Sequence, residues 1–402
     1  MTLTRKLLLF LATIALAACG GGGGGSSGTG TISVKMTDAP ATPEYAEVWV
    51  TVEKVRVHQA DDAPEGDSGW HEVVLDPPRK IELLGLRNGV MAELGQADVP
   101  AGRYHQFRLV LGGQPGDNEV VLAADPANPI PLTTPSAQQS GLKLNAKPFD
   151  VAEGQTVELV LDFDAARSVV RAGNSGKYLL KPVITVIAVL DAGAISGSFA
   201  DPTAADGASV SLQAYDPATE EVTVLRATTP AEDGSWKLAP VEAGDGYALV
   251  IAKPGFRTLV LTDVTLDAAQ SVTVEPLTLT PLTVDTGTEP PSMPTMRVAA
   301  GNVAPAEGAQ VRALQRVIDL DGTADDLMVE TAFMNADADT GAFAFDLSVE
   351  PALVGPLGEA TTDGDNAGIY TFTAEGDGGF GALADVDLDA GDVTSLVIPL
   401  VP

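Results

Sequence analysis

The sequence predicts an all-β protein, and three observations carry that prediction. Apolar residues recur with period two in one segment after another, not every 3.6 residues. Val157, Leu159, Leu161 and Phe163 alternate with Thr156, Glu158 and Asp162, and His105, Phe107, Leu109 and Leu111 alternate with Gln106 and Arg108. The chain is also rich in residues that punctuate short strands, with 42 Gly and 28 Pro in 402 residues. Finally, only the short stretch 89–95 (GVMAELG) has helical spacing. A chain of this length accommodates two to four domains. Its single cysteine allows no disulfide framework, so stability must come from ordinary cores.

The first element is an export signal. Arg5 and Lys6 are followed by the apolar run Leu7 to Leu16, too short to span a bilayer as a stable helix. Small residues Ala17 and Ala18 then precede Cys19, with cleavage expected between Ala18 and Cys19. The run Leu16-Ala17-Ala18-Cys19 resembles the lipobox of bacterial lipoproteins. The resemblance implies a signal peptide over 1–18, lipid attachment at Cys19, and an exported protein anchored to a membrane by its lipid. An ordinary signal followed by an incidental cysteine is the alternative. Each buried methylene contributes about 0.8 kcal/mol, so two or three acyl chains would hold firmly where one holds weakly. Gly20, rather than Asp, after the cysteine implies by the same resemblance the outer membrane rather than retention at the inner one. Residues 19–30 continue as a Gly/Ser tether with a reach of about 5–6 Å times the square root of its length.

Residues 31–190 form the expected first domain. Within 48–58, Val48, Val50 and Val52 share one parity and Val55 and Val57 the other, which predicts a β-bulge near Glu53-Lys54. The blocks Thr37-Asp38-Ala39-Pro40, VWVTVEKVRVH (48–58), VPAGRYHQFRLVL (99–111), QSGLKL (139–144), VLDFDA (160–165) and YLLKPVITV (178–186) occur in that order. Together they resemble domain-of-unknown-function family 4382, common in exported lipoproteins, a resemblance that implies compartment and domain limits but no chemistry.

The remainder contains an internal repeat. Asp206-Gly-Ala-Ser-Val-Ser-Leu-Gln matches Glu307-Gly-Ala-Gln-Val-Arg-Ala-Leu, and Asp233-Gly-Ser-Trp matches Thr340-Gly-Ala-Phe. Pro254-Gly-Phe256 matches Gly378-Gly-Phe380, and Asp263-Val-Thr-Leu-Asp matches Asp385-Val-Asp-Leu-Asp. The expected units are 192–283 and 296–402, joined by a linker over 284–295 (DTGTEPPSMP at its centre). The first unit especially resembles the carboxypeptidase-regulatory-like, transthyretin-like or Ig-like β-sandwich, grouped with carbohydrate-binding-like folds. That resemblance implies spacers or binding modules rather than catalysts. Related pilin sandwiches carry Lys–Asn isopeptide staples, but residues 288–402 contain no lysine and residues 192–283 no asparagine.

The net charge is −32, and −34 once Arg5 and Lys6 are removed. Segments 31–190, 191–287 and 288–402 carry −7, −10 and −17, so no basic footprint exists and nucleic-acid binding is excluded. Acidity keeps an exported protein soluble; its sharper reading is calcium binding. Asp319, Asp321, Asp325 and Asp326 around Gly322 are the candidate ligands, although the EF-hand spacing and closing Glu are missing. The alternative is a solvated acidic loop. Asn335, Asp337 and Asp339 read as a hairpin turn.

His58, His71 and His105 are the only histidines and have no metal-ligand spacing. No nucleophile elbow, Walker loop or His-Glu-x-x-His is present. Trp236 shares parity with Leu238 and belongs to a core, whereas Trp70, after the loop DDAPEGDSG, and Trp49 are candidate sugar platforms. The reading that follows is a non-enzymatic envelope lipoprotein without cofactor, presenting a binding or structural surface to an envelope protein or polysaccharide. Carbohydrate binding is the first alternative, and a hydrolase using the histidines of the first domain the second.

Overall fold

A computed structural model describes residues 28–38, 44–134, 141–172, 176–189, 192–282, 296–306, 308–317, 327–364 and 367–402. Strands dominate throughout. In the first domain twelve of them join one sheet around a single core. Strand Thr29–Asp38 lies between Thr156–Asp164, to which it pairs in parallel, and Ala92–Pro100, to which it pairs antiparallel. Its alternation is strict: Ile32, Val34 and Met36 are fully buried.

The long strand Tyr45–His58 shifts register between Val52 and Lys54 against both His71–Glu82 and Gln106–Leu111. This is the bulge expected from the change of parity. One extra residue turns the second half of the strand over, so Val48, Val50, Val52, Val55 and Val57 all enter the same core. The stretch 89–95, expected to be helical, is instead a turn leading into strand Ala92–Pro100. Gly89 and Gly95 both have positive φ, which interrupts a helix, and Ala92 and Leu94 bury alternately as a strand requires. α-Helix is confined, among the described residues, to the single turns Ala165–Ser168 and Pro202–Ala205, each capped by an aspartate side chain.

Two sandwiches follow. In the first, the sheet Ser235–Val241, Gly193–Ser198, Ser271–Thr273 faces Glu221–Thr228, Ser209–Asp216, Gly244–Ala252, Leu259–Leu266. In the second, Ala342–Ser348, Met296–Ala304, Val393–Pro399 faces Leu327–Asn335, Gln310–Val317, Ile369–Gly376, Gly379–Asp387. The strand order and the parallel or antiparallel sense of corresponding pairs are the same in both. Asp263 and Asp385, matched in the sequence, both have positive φ beside a register shift in corresponding strand pairs.

The expected linker 284–295 lies outside the described residues, and the described parts of the two sandwiches are joined through a shared sheet. A hairpin of the second, Leu353–Pro356 with Thr362–Asp363, leaves its own sheets and extends the sheet of the first by parallel pairing with Leu259–Leu266. Ala352 and Val354 thereby join Ala248, Val250, Val260, Val317 and Val329 in an apolar cluster between the two units. A second small cluster joins Val222 to Leu314 and Met328. Among the described residues, no buried apolar cluster contains residues of both the first domain and a sandwich.

Candidate functional site

The densest polar constellation lies where the three units meet. Its first-domain side is built at the end of strand Thr156–Asp164. Asp162 and Asp164, two residues apart, share a face of the strand. Asp164 caps the following helical turn by accepting from the Arg167 N–H at 2.9 Å, and Asp38 on the neighbouring parallel strand accepts from the Ala165 N–H at 2.9 Å. Two orphan donors of the helix start are thus satisfied by two blocks far apart in sequence.

From the first sandwich comes Arg226, 4% exposed, paired with Asp162. Its Nε donates to the Pro240 carbonyl at 2.9 Å and its Nη2 to the Ala239 carbonyl at 3.3 Å, so the buried guanidinium is held on three sides. From the second sandwich comes Glu330. Arg167 Nη2 reaches both its carboxylate oxygens, at 2.9 and 3.1 Å, and Arg312 Nε donates to Oε2. The Gln213 side-chain amide of the first sandwich clasps the Glu330 backbone, donating to its carbonyl at 2.9 Å and accepting from its N–H at 2.8 Å. Arg312 Nη2 also donates to the Val222 carbonyl at 2.7 Å. Glu330 therefore bonds to all three units.

A cavity of about 310 Å³ lies at this junction, lined from all three units, with Asp162, Arg167, Ser211, Gln213, Arg226 and Glu330 in its wall. A second, more apolar groove of about 540 Å³ lies between the first domain and the first sandwich and shares Thr185, Val224, Leu225 and Arg226 with it. Burial raises the carboxyls of Asp38 and Asp162 above the ordinary range; for Asp162 the Arg226 guanidinium opposes the shift. Burial likewise pushes Asp164 up to about 6, opposed by Arg167 and reinforced by Asp162 and Glu330.

The arrangement clamps; it offers no nucleophile–base pair. The histidines stand elsewhere. His58 Nδ1 accepts from the Ala60 N–H at 2.8 Å, which leaves its proton on Nε2, facing Asp67 Oδ1 at 3.3 Å. Both ring nitrogens are occupied, and no free one remains to act as a base. His71 is partly buried, and burial lowers its pKa. His105 sits at a strand end, its N–H donating to the His58 carbonyl.

Trp70 is not the exposed platform the sequence suggested. It is 8% exposed, with Arg56 and Arg108 guanidiniums 4.7 and 4.8 Å from its ring centroid and its Nε1 donating to the Pro64 carbonyl at 2.9 Å. It pins the acidic loop 59–70 onto the sheet, and no sugar can stack on a face already covered. Trp49 is half-buried; its Nε1 donates to Glu47 and Lys80 stands 5.6 Å from its ring. Trp236 is in a core, as its parity predicted.

Asp337 organises a turn, accepting from Thr340 N and Oγ1 at 2.9 and 2.8 Å. Ala18, Cys19 and the candidate calcium ligands Asp319, Asp321, Asp325 and Asp326 lie outside the described residues. Among the described residues no group of three or more His, Cys, Asp or Glu is placed to hold a metal ion. The sequence reading missed Arg226 and Glu330. Their one signal was a charge set inside an apolar strand, as in Val224-Leu225-Arg226 and Met328-Val329-Glu330.

No curated protein matches the sequence significantly. Solved structures with some similarity include a type II cohesin–X-dockerin complex from Acetivibrio cellulolyticus, at 18% identity over 22% of this chain and 56% of that one, TM-score 0.16. The Bacillus anthracis TIE protein matches at 10% identity over 92% and 51%, TM-score 0.16. A candidate carbohydrate binding protein from Bacteroides uniformis matches at 15% identity over 51% and 94%, TM-score 0.17. The chain thus spans about half the length of the first two, and at these TM-scores none of the three bears on its function. Residues 29–182 match the family described as "Domain of unknown function (DUF4382)", a span that contains Asp38, Asp162, Asp164 and Arg167, the first-domain half of the junction.

Proposed function

We propose that this chain is a non-enzymatic lipoprotein of the cell envelope, anchored in the outer membrane through Cys19. Its three interlocked β-units would present a binding or structural surface to an envelope partner. The observation that carries the reading is the junction itself. The buried charged groups that would serve catalysis in an enzyme are engaged here in joining domains, with Glu330 bonded to all three units. The Gly/Ser tract after Cys19 supplies a tether to hold such a body away from a membrane.

Two measurements test this. Metabolic labelling with an alkyne fatty acid should mark the wild-type protein and leave Cys19→Ala unlabelled and released from membranes; a labelled variant would sink the anchor. Cross-linking in intact cells should recover one envelope protein repeatedly with the wild type. Recovery of none, together with strong signal for one polysaccharide on a glycan array, would replace this reading with carbohydrate binding.

A further inference from the structure

The cavity at the junction and the apolar groove beside it abut at Thr185, Val224, Leu225 and Arg226, and the chemistry of the wall changes along their common length. On the first domain the change is written into two paired strands. Asp162 of Thr156–Asp164 stands opposite Thr185 of Val183–Ala188. Two residues along each strand, on the same face, Val160 stands opposite Ile187. On the sandwich, Arg226 and Val224 repeat the step from polar to apolar two residues apart. Ile187 and Val224 line the groove and join none of the buried apolar clusters. Lys147 of the first domain and Glu242 of the sandwich pair across it.

At the polar end the charges already answer one another. Asp162 is paired with Arg226, Asp164 with Arg167, and Glu330 with Arg167 and Arg312. A charged head entering there would find no counter-ion left, and a buried unpaired charge is costly. Hydrogen-bonding groups do remain. Thr185 and Ser209 line the cavity with hydroxyls that bond to none of the described residues, and the buried Oδ1 of Asp162 receives no donor. The other end is apolar, and the two volumes, about 310 and 540 Å³, are those of small-molecule sites. We propose that this cleft binds a single-chain amphiphile with an uncharged, hydroxyl-bearing head, the head among Thr185, Ser209 and Asp162 and the chain along Ile187, Val224 and Leu225. The bound chain supplies the apolar contact that the first domain and the first sandwich lack among the described residues.

The test is isothermal titration calorimetry at physiological ionic strength on the mature chain from residue 19, carrying Cys19→Ser so that no lipid of its own is present. Monodecanoylglycerol, decanoate and decylammonium, each below its micelle concentration, put three heads on chains of equal length. The glycerol ester should bind one to one, about tenfold more tightly than either ion binds at any single site. Thr223→Trp, at an exposed position on the groove wall, should fill the apolar end and abolish binding. Thr185→Val removes a hydroxyl from the polar end and should weaken binding up to about tenfold. Both variants should keep the circular dichroism and melting temperature of the parent. No saturable heat with the ester would leave the cleft to water and overturn the proposal. So would one-site binding of either ion as tight as that of the ester, or unchanged affinity in either folded variant.

Discussion

The molecule has two kinds of domain interface, and they are made of different materials. The sandwiches share a sheet through the hairpin at 353–363 and bury Ala248, Val250, Val260, Val329 and Val354 between them. The first domain meets the sandwiches through Asp162–Arg226, Arg167–Glu330, Asn88 with Thr228 and Thr229, and Lys181–Asp377. The sandwich interface also carries polar contacts, Gln213 with the Glu330 backbone, Arg312 with the Val222 carbonyl and Arg257 with Asp363, but its apolar part is non-directional. The polar interface of the first domain depends on every partner being present, because a buried charge left alone is costly. The difference teaches that the sandwich pair behaves as one body, whereas the first domain is a separately fastened one.

The largest effect is expected at Glu330, which bonds to all three units. Glu330→Ala leaves Arg312 without its carboxylate and Arg167 with only its contact to Asp164, and should cost about 3–5 kcal/mol. Urea unfolding followed by far-UV circular dichroism should show the first domain separating as its own transition; a single unshifted transition would mean the junction is not a keystone. On the apolar side, Val260→Ala should cost about 2 kcal/mol from lost burial. That loss should be the same at pH 5 and pH 8, and a pH-dependent value would contradict the division drawn between the two interfaces.

Smaller effects sharpen the picture. Asp377→Ala removes a partly exposed pair with Lys181 at 2.7 Å and should cost about 0.5 kcal/mol, vanishing in 1 M NaCl. A salt-insensitive loss there would mean that the pair is better shielded than its exposure indicates. Within the first domain, Trp70→Ala offers a control away from both interfaces. It should release the loop 59–70 to proteolysis and lower the melting temperature, yet leave any polysaccharide binding unchanged. Loss of binding in a still-folded variant would restore Trp70 as a platform.

Much of the fold was legible because a half-buried strand writes its burial into the sequence. The alternation in Thr156–Asp164 and the parity switch at Glu53-Lys54 translate directly into side-chain direction. The stretch 89–95 misled because its apolar spacing fits both periods over so short a run, and only the positive φ of Gly89 and Gly95 settled it. Trp70 misled for a different reason. A tryptophan after an acidic loop looks exposed until two arginines from neighbouring strands, Arg56 and Arg108, are found 4.7 and 4.8 Å from its ring centroid. That is a contact between residues 14 and 38 positions away.

The linear chain carries the all-β class, the bulge at Glu53-Lys54, the matched turns of the two sandwiches and the acidity of the whole. These depend on near neighbours and on composition, which a linear reading contains. Only the tertiary structure decided that a hairpin of the second sandwich completes the sheet of the first, and that Asp38, Asp162, Arg226 and Glu330 converge. Pairing between residues 64 to 163 positions apart is chosen by which edge and which charge remain unsatisfied once the local elements have formed.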